Sequence, residues 1–157
     1  MKKTKVLVSL IVLTLLFSVA GSTFAKSYKS KGDFVKAAKK QIKGIDCVHA
    51  DKLLGNKGVI FLDVREPAEY KAGHIKGAIN IPRGLLEFKI ASKIKNKSAK
   101  IIVYCKTGGR GALATYTLKQ MGYSNVKNLD GGWLGWSKYL KKKSASSNND
   151  DEEEEGC

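Results

Sequence analysis

The chain predicts an α/β domain, a parallel sheet with helices on both faces. Three observations carry that expectation. Two runs, VIFLD (Val59–Asp63) and IIVYC (Ile101–Cys105), are apolar almost throughout, as strands covered on both sides must be. Helix-like and strand-like segments alternate across residues 44–143, the order that builds parallel sheets through crossover helices. Asp63 and Cys105 both close such runs, at the carboxyl ends of strands, where open α/β sheets gather their ligands.

From the start of the chain, Lys2, Lys3 and Lys5 precede an apolar stretch, Val6–Ala20, and small residues around Thr23–Ala25 suit a cleavage site. Residues 1–25 therefore read as an export signal. The 15 residues of that stretch fall short of the about 20 a membrane span needs, so membrane attachment would require an uncleaved signal. The mature chain is expected to begin near Lys26, periplasmic or secreted. In the extension 26–43, Asp33 is placed to cap a helix with Phe34, Val35, Ala38 and Ile42 on one face.

Ile45–Val48 reads as a first strand, Ala50–Leu54 as one or two helical turns, and VIFLD as the second strand. EPAEYKAG follows as a helix with Pro67 in its first turn, and AINIP as a strand stopped at Pro82. Leu85–Ile90 is helical and leads into IIVYC. Ala112–Met121 is a helix with Ala114, Leu118 and Met121 in register, and VKNLD is the last strand. GGWLGWSKYL turns Trp133, Trp136 and Leu140 to one face, with both tryptophans in the core. Residues 144–157 are polar, acidic and without periodicity, and read as a disordered tail.

Charge and cysteine content narrow the function. Residues 26–149 carry 26 basic and 8 acidic side chains, a formal +18, because the three lysines of the leader and the six acids of 150–155 lie outside them. Such a surface attracts anions generally: small oxyanions, acidic proteins, nucleic acid or phospholipid. The basic residues are scattered, without interleaved aromatics or a nucleic-acid motif, so no nucleic-acid partner is expected. Three cysteines, Cys47, Cys105 and Cys157, leave at least one thiol without an intramolecular partner. Cys47 and His49 are too few for a metal site, and no metal or cofactor is expected. Cys47 reads as packing, His74 as a loop-fixing histidine, and Cys157 as either incidental or a thiol that accepts sulfur.

The stretch VYCKTGGRGALA sets Cys105 between a buried strand and a helix expected to start near Gly111. Gly108 and Gly109 leave backbone N–H groups uncovered, and a tight loop can aim several of them at one point, backed by the helix dipole. Lys106 and Arg110 add positive charge. Lowering a thiol pKa by about two units raises its thiolate fraction near neutrality roughly tenfold, but costs roughly tenfold in nucleophilicity. The cradle must therefore serve an anionic substrate, a departing anion or a charged adduct. That requirement points to chemistry on oxyanions or sulfur anions.

FLDVREPAEYKAGHIKGAINIP (Phe61–Pro82), VYCKTGGR (Val103–Arg110) and LDGGWLGW (Leu129–Trp136), in this order and spacing, resemble the rhodanese domain family from about Gly44 to Leu140. The resemblance implies a five-stranded parallel sheet in the order 3-2-4-5-1 and thiosulfate-type sulfurtransferase activity. It makes Cys105 the nucleophile that carries sulfur as a persulfide. Lys106, Thr107, Gly108, Gly109 and Arg110 become the cradle for the adduct and the incoming anion. Asp63 and Arg65 become supports behind that loop. The implied partners are a small sulfur-anion donor and a thiol or protein acceptor, with the protein a monomer. A non-enzymatic sulfur carrier serving a dedicated partner is the rival reading. Phosphatases of similar architecture have a longer loop than the four residues that separate Cys105 from Arg110.

Overall fold

Strands β1 (Lys43–Ile45), β2 (Val59–Asp63), β3 (Ile79–Asn80), β4 (Lys100–Tyr104) and β5 (Val126–Leu129) form one parallel sheet in the order β1-β5-β4-β2-β3. The expected α/β/α architecture and strand order are both present. The structure, a computed structural model, describes Ser27 and residues 30–150, so the expected signal (1–25) and Cys157 lie outside the described residues. The helices are α1 (Lys31–Lys39), α2 (Cys47–Asp51), α3 (Pro67–Lys71), α4 (Leu86–Lys93), α5 (Gly109–Gln120) and α6 (Gly132–Asp150), with a 3₁₀ turn at Arg83–Leu85.

The period of two along β4 sorts its side chains into two cores. Ile101, Val103 and Cys105 join Leu86, Ile90, Ala114 and Leu118 on the face covered by α4 and α5. Ile102 and Tyr104 join Ala50, Phe61 and Trp136 on the face covered by α2 and α6. The same alternation brings the Cys105 side chain under the start of α5. Trp136 is core as expected, whereas Trp133 is only partly buried.

Several boundaries differ from the sequence expectation, four of them for a local reason. The first strand ends at Ile45, because Asp46 caps α2 by accepting the His49 N–H at 2.8 Å. Cys47 and His49 thus sit in a helical turn rather than on one strand face. The cap of α1 is Ser30, which accepts the Asp33 N–H at 3.2 Å; Asp33 itself is in the first turn. Helix α5 begins at Gly109, two residues before the expected start, with Gly108 as its left-handed cap. Helix α6 continues through Asp150, so 144–150 are helical rather than disordered. No Gly or Pro interrupts it after Gly135, and extending a packed helix needs no new nucleus. Ser144 and Ser146 add hydroxyl bonds back to the Lys141 and Lys143 carbonyls at 3.0 and 2.9 Å.

Helix α1 packs on α5. The Val35 methyls lie 3.9 Å from where a Cβ on Gly109 would sit, and Lys119 Nζ donates to the Gln41 carbonyl at 2.6 Å. The N-terminal extension is thereby fixed beside the loop that follows β4.

Candidate active site

Cys105 follows β4, 1 % exposed, with its side chain in the core beneath α5. Its sulfur accepts the Gly108 N–H at 3.2 Å. Gly108 adopts φ +95°, a conformation that side-chain-bearing residues rarely take, and this lets the chain reverse over the sulfur within three residues. The α5 ladder then opens with Ala112 N–H to the Gly108 carbonyl at 2.9 Å. The N–H groups of Gly109, Arg110 and Gly111 come before that bond and have no carbonyl within the helix to meet. One amide therefore holds the sulfur directly, where the sequence predicts several, and the positive end of α5 stands over it. The side chains of Lys106 and Thr107 are exposed, Gly108 is buried, and Gly109 and Arg110 are half-buried.

The carbonyl side of the loop is held by the start of α6. Trp133 N–H donates to the Cys105 carbonyl at 2.7 Å and Leu134 N–H to the Lys106 carbonyl at 3.0 Å. This approach requires Gly132, at φ +58°. A Cβ there would overlap the Cys105 carbonyl oxygen and lie 2.9 Å from the Gly108 nitrogen and 3.0 Å from the Lys106 carbonyl carbon. All three are backbone atoms and cannot rotate away. Gly132→Ala is expected to destabilise the protein by about 2–3 kcal/mol, from the strained conformation plus the overlap. With the loop displaced, the covered Cys105 thiol should react faster with iodoacetamide. An unchanged melting curve and alkylation rate would contradict this account of the loop.

Asp63 and Arg65 form a buried ion pair behind the loop, with side chains 0 % and 3 % exposed. Asp63 Oδ2 accepts from Arg65 Nη2 at 2.7 Å and Nε at 2.9 Å, and Oδ1 accepts the Arg65 backbone N–H at 2.9 Å. Arg65 Nη2 also donates to the Gly73 carbonyl at 2.6 Å. The guanidinium lies 5.0 Å from the Trp133 ring centroid and 5.7 Å from that of Tyr104. Trp133 thus links this pair to the Cys105 carbonyl. The Tyr104 hydroxyl, whose pKa burial pushes up, accepts the Ile75 N–H at 3.1 Å.

Arg110 is engaged away from the sulfur. Its Nη1 and Nη2 donate to Glu69 Oε2 and Oε1, each at 2.8 Å. Glu69 is in turn fixed by its own helix, since Oε2 accepts the Glu66 N–H at 3.2 Å as half of the capping box of α3. The paired guanidinium holds the Glu69 carboxyl well below the usual range, at about 2, so the pair stays ionised at ordinary pH. Lys106 makes no ion pair among the described residues.

His74 is not at the sulfur; its Nδ1 is 3.0 Å from the Tyr70 carbonyl and its ring stacks on Tyr70. Cys47 and Cys105 are both free thiols. Cys47 Sγ lies 3.9 Å from the Asp130 carbonyl, and burial, with Asp46 and Asp130 nearby, pushes its pKa up. Sequence reasoning placed Glu69 only within a motif and Trp133 only in the core. Both positions stood in the quoted segments, but their partners lie far along the chain.

A family model described as a rhodanese-like domain matches residues 48–139. A putative mitochondrial thiosulfate sulfurtransferase of Schizosaccharomyces pombe is 35% identical over 98 residues, 55% of this chain and 69% of that one. A thiosulfate sulfurtransferase of Escherichia coli is 38% identical over 71 residues, 45% of this chain and 68% of that one. Among solved structures, a Rhodopseudomonas palustris protein of unknown function, described as a possible tyrosine phosphatase, is similar with a TM-score of 0.67 and 27% identity, over 73% of this chain and 94% of that one. A human single-domain sulfurtransferase is similar with a TM-score of 0.54 and 25% identity, over 60% and 95%.

Proposed function

This chain belongs to the rhodanese-like domain family, and from that membership we propose that it is a sulfurtransferase whose Cys105 carries sulfane sulfur from a small anionic donor to a thiol acceptor. The observation that carries the reading is the Cys105 sulfur against the Gly108 N–H, beneath the positive end of α5. The names of the yeast and bacterial relatives support the same reaction class, with thiosulfate as donor.

In the first half-reaction the Cys105 thiolate attacks the outer sulfur of thiosulfate. A new S–S bond forms, the S–S bond of thiosulfate breaks, and sulfite leaves with the bonding pair. The enzyme is left with a persulfide anion, whose terminal charge the free first-turn N–H groups of α5 can meet. In the second half-reaction an acceptor thiolate attacks that terminal sulfur and Cys105 departs as thiolate. No proton moves in the thiolate form, so no general base is needed beside the sulfur, and His74 bonding elsewhere is consistent with this. The likeness to a possible tyrosine phosphatase concerns the shared fold. The four-residue spacing from Cys105 to Arg110 favours a sulfur adduct over a tetrahedral phosphate ester.

Incubation with thiosulfate is expected to add about 32 Da, one sulfur atom, to the peptide containing Cys105, with sulfite released and the mass restored by cyanide. Absence of the adduct with thiosulfate and with organic thiosulfonates alike would overturn the reading.

A further inference from the structure

The loop that contains Cys105 has two side-chain cations, and the structure leaves only one of them available. Arg110 sits at the second position of α5, but both of its terminal nitrogens are bound to the Glu69 carboxylate at 2.8 Å. The carboxylate is held from behind by the Glu66 N–H, so it cannot swing away without opening the capping box of α3. Both members are only partly exposed, 36% for Arg110 and 29% for Glu69, which limits how far water screens the pair. Of the loop's own two side-chain cations, Lys106 is therefore the one left without an ion pair among the described residues, and it adds to the partial charge of the helix end. A fold needing only to hold Arg110 could have used a carbonyl or an amide. A bidentate carboxylate cancels its charge as well.

We propose that Glu69 is a specificity-determining residue that neutralises Arg110 and thereby tunes the Cys105 site toward singly charged sulfane donors, such as organic thiosulfonates and hydropersulfides, over doubly charged thiosulfate. The inference rests on the sulfurtransferase reading and specifies its substrate class. With a thiosulfonate, the Cys105 thiolate takes the terminal sulfur, the S–S bond of the donor breaks, and a sulfinate leaves with the bonding pair. Charge balances at two negative units on each side, thiolate plus thiosulfonate becoming persulfide anion plus sulfinate. Thiosulfate must bring two negative charges to a mouth whose second cation is already satisfied. It is penalised relative to the monoanion by one further unit of charge against Glu69.

Glu69→Gln separates charge from structure, because glutamine at this position still closes the capping box and can still accept one bond from Arg110. Persulfide formation is followed by mass, and kcat/KM is measured for thiosulfate and for methanethiosulfonate. The wild type is expected to favour the monoanion. In Glu69→Gln both rates rise, with thiosulfate gaining about fivefold more than methanethiosulfonate at low salt and less at high salt, the order expected for one unit of charge near contact at a protein surface. Glu66→Gln removes an equal charge without touching the Arg110 fork and is expected to shift the ratio by less than half as much. An unchanged donor ratio in a folded Glu69→Gln protein, or an equal shift in Glu66→Gln, would overturn the inference. In either case persulfide formation on Cys105 would persist, so the sulfurtransferase reading would stand or fall separately.

Discussion

Cys105→Ser is expected to lose sulfur uptake altogether, with the mass adduct absent and kcat/KM for any sulfane donor down by about a thousandfold or more, some 4 kcal/mol of transition-state stabilisation. A hydroxyl is neither ionised near neutrality nor a competent partner for a persulfide bond. The fold should survive. Serine is smaller than cysteine and its hydroxyl can still accept the Gly108 N–H that Cys105 accepts at 3.2 Å. The remaining cost is a polar atom placed in the cluster of Val103, Ala114 and Leu118, about 1–2 kcal/mol. Near-native melting with no adduct is the expected pair of results. Cys105→Ala checks the same point without the hydroxyl. Undiminished turnover in either protein would remove the central assignment.

Asp63→Asn is expected to be the most damaging single change to stability. Asp63 is the counter-ion of a guanidinium that has no route to water, both side chains being at most 3% exposed. Losing the charge leaves Arg65 buried against Trp133 and Tyr104 with only neutral acceptors, the situation that typically costs about 3–5 kcal/mol. Against the 5–15 kcal/mol by which domains are usually stable, that is a large fraction, equivalent to a fall in Tm on the order of 10–20 °C. Replacing both partners, as Asp63→Leu with Arg65→Met, should cost less than the sum of the single changes, because no unpaired charge is left behind. The loop should loosen along with the core, since Arg65 supports Trp133 and Trp133 N–H holds the Cys105 carbonyl at 2.7 Å. A small, additive effect would show that the pair is not what braces the loop.

Much of the architecture was legible because it depends on local pattern. The apolar runs before Asp63 and Cys105 suit buried strands, which places the thiol at a strand end beside glycines. The misplaced boundaries share a cause. Asp46 and Ser30 act through a single side-chain bond to a backbone N–H, a short signal outweighed by the hydrophobic pattern around it. The helix past Lys143 was hidden for the opposite reason, because its residues have no apolar face and continue only from the packed turns before them.

Residue order alone determined the layered sheet, the strand that delivers Cys105 and the glycine-rich reversal after it, since each follows from backbone conformational preference and a repeat of two or of 3.6. Tertiary structure alone decided which charges the loop keeps. Glu69 meets Arg110 across 41 residues, and Gly132 comes from a third segment to pass against the Cys105 carbonyl. Pairings of that kind depend on distances between elements after they pack, and a carboxylate is free to choose among many cations until the packing leaves it one.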